Sequence, residues 1–271
     1  MKKNPDKLRI QAHAGFSLVD IMVGMVIALL GVIIIFQVFS VSEGIKRTTT
    51  SGGDALQNGA SALFSLERSL KGAGYGFFSS TNLAPLPADP ANTPPVAITV
   101  GAANTSDSLV MRYRLNWDFG SFPPDPTVFA AATPPALTVE TVSVNAQAQL
   151  VSDLNGVISD GIALMKVEYG TDVNGNGIIE TNEWSQAAPG NVLSVLAVRI
   201  AVVARSAQPE KPSVAGGACN TTTVFPSWID SAAVPLDLSG NTGLAVGDDW
   251  KCYRYKTFEN TVPLRNVIWR T

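Results

Sequence analysis

Gly15-Phe16-Ser17-Leu18-Val19-Asp20 opens a run that continues as IMVGMVIALLGVIIIFQVF to Phe39, and the architecture follows from this stretch. Phe16–Phe39 holds 24 residues and a single charge, Asp20. At about 1.5 Å per residue such a helix is roughly 36 Å long, enough to cross a hydrocarbon core of ~30 Å. The preceding residues 1–15 carry Lys2, Lys3, Lys7 and Arg9 against Asp6, a net +3. Positive charge on that flank holds it in the cytoplasm and sends the C-terminal body outward. No A-x-A-like cleavage site follows the apolar run, so this is not an ordinary secretory signal.

The join between basic segment and apolar run resembles the class III signal of type IV prepilins: glycine, phenylalanine, Ser or Thr, leucine, any residue, then an acid. The resemblance implies cleavage after Gly15 by a prepilin peptidase and N-methylation of Phe16. It also gives Asp20 an assembly role, pairing with the terminal amine of a neighbouring subunit. Members of the family usually carry glutamate there, and aspartate is one methylene shorter. Ser17-x-x-Asp20 reads equally as a capping pair for the helix start, and the two roles are compatible. Gly24 and Ala28, four apart, allow close helix approach.

Composition narrows the chemistry. The 271 residues are 46% hydrophobic and only 15% charged, where soluble domains carry about 25% charged residues. The net charge of −3 argues against a phosphate-binding basic surface, so no nucleic-acid partner is expected. His13 is the sole histidine and lies inside the leader. The mature chain would then hold no histidine to activate a nucleophile or to build a zinc site, and no enzymatic activity is expected.

Ser40–Leu70 contains no proline and continues the helix. Leu56, Leu63 and Leu70, with Ala60, Phe64 and Glu67 between them, form the expected apolar face; Gln57, Asn58, Arg68 and Lys71 lie opposite. Ser51-Gly52-Gly53 marks a weak point or kink, and Gly72, Gly74 and Gly76 terminate the helix. Strands are expected at Val96–Val100, Ser108–Leu115, Leu137–Val144, Ala163–Tyr169, Val195–Ala204 and Tyr253–Asn260, with a last segment through Ile268. In the fourth, Ala163, Met165, Val167 and Tyr169 alternate with Leu164, Lys166 and Glu168. The Pro-rich stretches Pro85–Pro95 and Pro123–Pro135 read as loops. The fold class is therefore α+β, a long N-terminal helix packed on a β-rich head. Its parts are a leader (1–15), a membrane or filament-core helix (16–39), an amphipathic continuation (40–75) and the head (76–271).

Several head phrases, in order, resemble the PilW family of minor pilins. They are Ser69-Leu70-Lys71-Gly72-Ala73-Gly74-Tyr75, Ser108-Leu109-Val110-Met111-Arg112-Tyr113, Tyr169-Gly170-Thr171-Asp172, the run Val198–Ser206, and Pro263-Leu264-Arg265-Asn266. The resemblance implies a type IV pilin-like fold held in the inner membrane with its head in the periplasm. It further implies recruitment with other minor and major pilins to prime pilus assembly, a place at or near the tip, and a tip adhesin as a further candidate partner. The 256 residues left after cleavage are large for a repeating shaft subunit, which favours a low-copy position. A type II secretion pseudopilin would share the leader and helix, and an anchored calcium-dependent binding domain is a third reading.

Asp172-Val-Asn174-Gly-Asn176-Gly177-Ile178-Ile179-Glu180-Thr-Asn182-Glu183 fits D-x-[DN]-x-[DN]-G-x₅-E throughout. Ca²⁺ takes six to eight oxygens. The pattern offers side chains from Asp172, Asn174 and Asn176, the carbonyl of Ile178, a water-mediated contact from Glu180 and a bidentate Glu183. Gly177 permits the sharp turn and Ile179 can anchor the loop to the core. No helix enters the loop, so the expectation is a structural calcium in a β context. An ordinary Asn-Gly turn between strands is the competing reading.

Cys219 and Cys252 fall in the external head, where oxidation is permitted. A bridge would close a loop of about 34 residues, worth roughly 3.5–4 kcal/mol in the chain-entropy treatment. Two buried free thiols are the alternative. Asp248-Asp249 and Arg112–Arg114 read as solvated charge.

Overall fold

The computed structural model describes residues 17–76, 93–114, 137–191, 194–210, 212, 216–228, 234–240 and 249–268. Two compact units divide at Thr48/Thr49. One helix, α1 (Leu18–Gly72), contributes to both. Its start is capped as the sequence allows: the Val19 N–H donates to Ser17 Oγ at 3.3 Å, and the Ser17 N–H donates to Asp20 Oδ2 at 3.3 Å. Gly15 and Phe16 lie outside the described residues.

Within the first unit, no residue of Leu18–Thr48 is buried, and Leu18, Phe36 and Phe39 are each at least 70% exposed. The helix is long and apolar enough to cross a membrane. Such a surface calls for lipid or other helices around it.

In the second unit α1 buries Ser51, Ala55, Gly59, Ala62, Leu66 and Leu70. This corrects the expected face. Leu56 is 50% exposed, Leu63 half-buried and Leu70 fully buried. A seven-residue spacing slips by about 20° per heptad around a straight α-helix, and burial tracks that slip. The face that packs is made of small side chains, which bring the sheet close. A Cβ on Gly59 would lie 2.1 Å from Phe258 Cε2. The helix runs unbroken through Ser51-Gly52-Gly53 and ends as expected, with Gly74 (φ +78°) and Gly76 (φ +73°) in the left-handed region.

Two antiparallel sheets complete this unit. The first runs β1-β2-β3-β4-β5 (Val96–Thr99, Ser108–Arg114, Leu137–Val144, Leu150–Ser152, Gly156–Ser159). The second runs β7-β6-β8-β9, with β6 Ile162–Thr171, β7 Trp184–Ser185, β8 Val195–Arg205 and β9 Tyr255–Pro263. A helical turn, α2 (Arg265–Ile268), takes the place of a last strand. The main core joins Leu66 and Leu70 of α1 to Leu109, Met111, Val142, Met165, Val167, Ile200 and Val202 of both sheets. Strands β4, β5 and β7 are too short to announce themselves by periodicity. Leu115, Pro123–Pro135, Asp248 and most of Pro85–Pro95 lie outside the described residues.

Strand β6 departs from a half-buried strand, because every residue from Ile162 to Gly170 is buried. Its second face is covered by Trp228, Val234, Leu236 and Leu238, which form a satellite core with Leu164, Ala201 and Val203. These residues come from the long connection between β8 and β9.

Candidate functional site

Strand β6 delivers Asp172 at its end, and the loop that follows folds around that carboxylate. Asp172 Oδ1 accepts the N–H groups of Gly175 (2.7 Å) and Asn176 (3.1 Å), and Oδ2 accepts that of Gly177 (2.8 Å). Asn174 Oδ1 accepts the Asn176 N–H at 2.9 Å, and Asn176 Oδ1 the Ile178 N–H at 2.8 Å. Gly175 and Gly177 adopt φ of +74° and +79°, which side-chain-bearing residues avoid. Asx turns of this kind are what Asp and Asn favour over regular structure.

The loop closes through Glu183 in the 3₁₀ turn Thr181–Glu183. One oxygen, Oε1, accepts the Val173 N–H at 3.0 Å, while Oε2 accepts the Glu180 N–H at 2.8 Å. Glu183 is 7% exposed, whereas residues 173–178 face solvent. Ile179 anchors the loop: a Cβ on Gly170 would lie 2.8 Å from Ile179 Cδ1 and 2.8 Å from Trp184. The donor set is all oxygen and carries three carboxylates, the chemistry a hard cation requires. Among the described residues no three Asp, Glu, His or Cys side chains form a ready metal cluster. The acids of the loop are engaged by its own amides.

Cys219 and Cys252 form a disulfide with Cα atoms 4.9 Å apart. Around it the base of the β8–β9 connection is zipped by backbone bonds, Glu210 N–H to Cys252 O (2.7 Å) and Thr222 N–H to Lys251 O (3.1 Å). The bridge thus pins the segment that covers the outer face of β6 and β8.

That face carries buried charge. Lys166 Nζ lies 3.1 Å from Asp107 Oδ1 and donates to the carbonyl of Ala102 at 2.8 Å. Asp107 also accepts the N–H groups of Gly101 and Val167 and the Gln186 amide. Two residues further along β6, Glu168 Oε2 accepts from Arg199 Nε at 3.0 Å. The Arg199 guanidinium stacks 4.4 Å from the Trp184 ring and 5.3 Å from Trp228. Arg199 therefore links the hairpin of the Asp172 loop to the disulfide-pinned cover. Neither cluster is marked by a sequence motif. Lys166 and Glu168 two apart on an otherwise apolar strand were the available signal, since paired burial is what allows such charges inside. Arg114, expected as solvated charge, is 2% exposed.

Two tyrosines are perturbed. Tyr113 is pushed above its ordinary value of 10.0, chiefly by burial and then by the neighbouring Glu140 carboxylate. Burial likewise raises Tyr169, partly offset by the hydrogen bond its oxygen accepts from the Ile98 N–H at 2.6 Å.

No curated protein matches the chain. Among solved structures it is similar to a type IV-like pilin from Thermus thermophilus, at 14% identity and a TM-score of 0.43, covering 79% of this chain and 97% of that one. The profile of the PilW family, described as type IV pilus-assembly protein W, matches residues 130–266. That span takes in β3 through β9, the Asp172 loop and the disulfide, half of the sequence, and the chain belongs to the PilW family of pilus-assembly proteins.

Proposed function

We propose that the protein is a minor pilin that helps to initiate type IV pilus assembly and sits at or near the filament tip, with a structural rather than catalytic role. The observation that carries this reading is the apolar surface of Leu18–Phe39, no residue of which is buried, on a chain of the PilW family. Such a surface suits first the inner membrane and then a bundle of other pilin helices. On this reading a prepilin peptidase cuts after Gly15, Phe16 is methylated, and Asp20 pairs with a neighbour's terminal amine. Among the described residues the capping bond from Ser17 engages Oδ2 of Asp20 and leaves Oδ1 for that pairing. Deleting the gene and imaging surface filaments tests it. Loss of filaments restored by the wild-type chain is expected. Normal filaments with failed protein secretion would indicate a pseudopilin instead.

The Asp172 loop is proposed to hold a structural calcium through Asp172, Asn174, Asn176, the Ile178 carbonyl, Glu180 and Glu183. A bound ion would supply charge neutralisation for three carboxylates gathered in one loop. Support comes from the oxygen-only donor set and from the inward turn of Asp172, Asn174 and Asn176 toward the loop's amides. Direct calcium titration by calorimetry on the intact chain is the test.

A further inference from the structure

A groove of about 720 Å³ opens in the second unit between α1 and the five-stranded sheet. On the helix side Ser61, Ser65 and Ser69 recur every four residues, flanked by Phe64 and Arg68. Asn155, Val157 and Ile158 form the opposite wall, and Tyr113 and Glu140 the floor. The serines matter because their short side chains leave the space between helix and strand unfilled.

Three features bear on what enters it. First, apolar surface is left in water: Phe64 is 68% and Val157 54% exposed, on facing walls. Secondly, among the described residues β5 stands at the edge of its sheet and pairs with β4 alone. Its outer backbone groups are a template for an added strand. Thirdly, the charge is unbalanced. Glu140 spends its carboxylate on Tyr113 Oη (3.3 Å), Ser152 Oγ (2.8 Å) and Asn155 Nδ2 (3.0 Å). Arg68 is exposed and has no ion pair or hydrogen bond among the described residues. The charge offered to a visitor is therefore positive.

We infer that this groove receives an extended, acid-bearing segment of a neighbouring pilin subunit. Its backbone adds to the outer edge of β5, an apolar side chain sits between Phe64 and Val157, and a carboxylate faces Arg68. The apolar contact and the backbone bonds hold the segment. The exposed Arg–carboxylate pair sets its register and speeds encounter more than it adds affinity. The inference rests on the filament reading above, which supplies the neighbour.

Site-specific photo-crosslinking in filament-producing cells tests it, with the photoreactive residue placed at Val157 of the full chain. The expected product is an adduct with another pilin-type subunit, mapped by mass spectrometry to an extended segment containing Asp or Glu. Arg68→Glu should lower its yield by about five-fold or more, while Lys71→Glu, outside the groove, should leave it unchanged. Adducts confined to the chain itself, or a yield indifferent to Arg68→Glu, overturn the inference. A second reporter at Phe36, on the apolar helix, separates the two readings. Pilin adducts at Phe36 with none at Val157 remove the groove and leave the filament role standing; none at either position removes both.

Discussion

Lys166 Nζ and Asp107 Oδ1 meet at 3.1 Å with side chains 1% and 0% exposed, so the second unit is built around an ion pair shut off from water. The pair ties β6 to the turn before β2, and Gln186 brings the residues after β7 onto the same carboxylate. Removing one member leaves the other charge buried, which costs on the order of 3–5 kcal/mol. Lys166→Met should lower urea stability by about that amount. Lys166→Met with Asp107→Asn should cost less than the two single changes summed. Additive losses would show that the two side chains act independently.

Gly59 of α1 lies directly against the Phe258 ring, where an added Cβ would come within 2.1 Å of Cε2. An exposed helical Gly→Ala change stabilises by up to about 1 kcal/mol. Here the new methyl would meet the Phe258 ring, so Gly59→Ala should instead lower stability by about 1–3 kcal/mol. Adding Phe258→Leu should recover part of the loss. A raised melting temperature in Gly59→Ala alone would mean that the ring yields freely.

The disulfide holds the cover over the outer face of β6 and β8. Replacing Cys219 and Cys252 together by Ser should cost roughly 3.5–4 kcal/mol. Limited proteolysis should then cut first within residues 220–249, ahead of the sheets. Cleavage beginning elsewhere would show that Trp228, Leu236 and Leu238 hold the cover without the bridge.

Glu183 has two possible duties, and the structure changes what its replacement should do. Since its oxygens accept the Val173 and Glu180 amides, Glu183→Ala should destabilise the metal-free protein by about 1 kcal/mol. With a Kd near 10⁻⁴ M, 10 mM calcium should stabilise the wild type by about 2.7 kcal/mol and the variant far less. Equal thermal stability of the wild type with and without calcium would dispose of the site.

Tyr113 and Tyr169 both hold their protons more tightly in the folded chain than in the unfolded one. A raised folded pKa contributes stability that is complete below the unfolded value near 10 and disappears as pH rises through the folded value. Stability should therefore fall above pH ~10, and less steeply in Tyr169→Phe. Ultraviolet titration of the wild type against Tyr113→Phe and Tyr169→Phe should show that both tyrosines ionise above the ordinary value of 10.0; ionisation of either at that value would contradict this.

What could be read along the chain was local. The apolar run, the Ser17/Asp20 cap, the glycines after Gly72 and the long strands Leu137–Val144 and Val195–Arg205 each declare themselves within a few residues. The oxygen-donor spacing from Asp172 to Glu183 is likewise a property of twelve consecutive positions. The buried helix face departs from the spacing of Leu56, Leu63 and Leu70 because a seven-residue repeat drifts around a straight helix. β4, β5 and β7 were invisible because two to four residues carry no period.

An apolar N-terminal helix, a β-rich body and a turn lined with oxygen donors are written in the order of the residues, since each depends on neighbours in the chain. The meeting of Gly59 with Phe258, the burial of Lys166 and Glu168 and the placing of Arg199 between Trp184 and Trp228 come from long-range packing instead. Those outcomes turn on which distant segment covers a given face. For the outer face of β6 the cover is the Cys219–Cys252 connection, whose residues lie well over forty positions away along the chain.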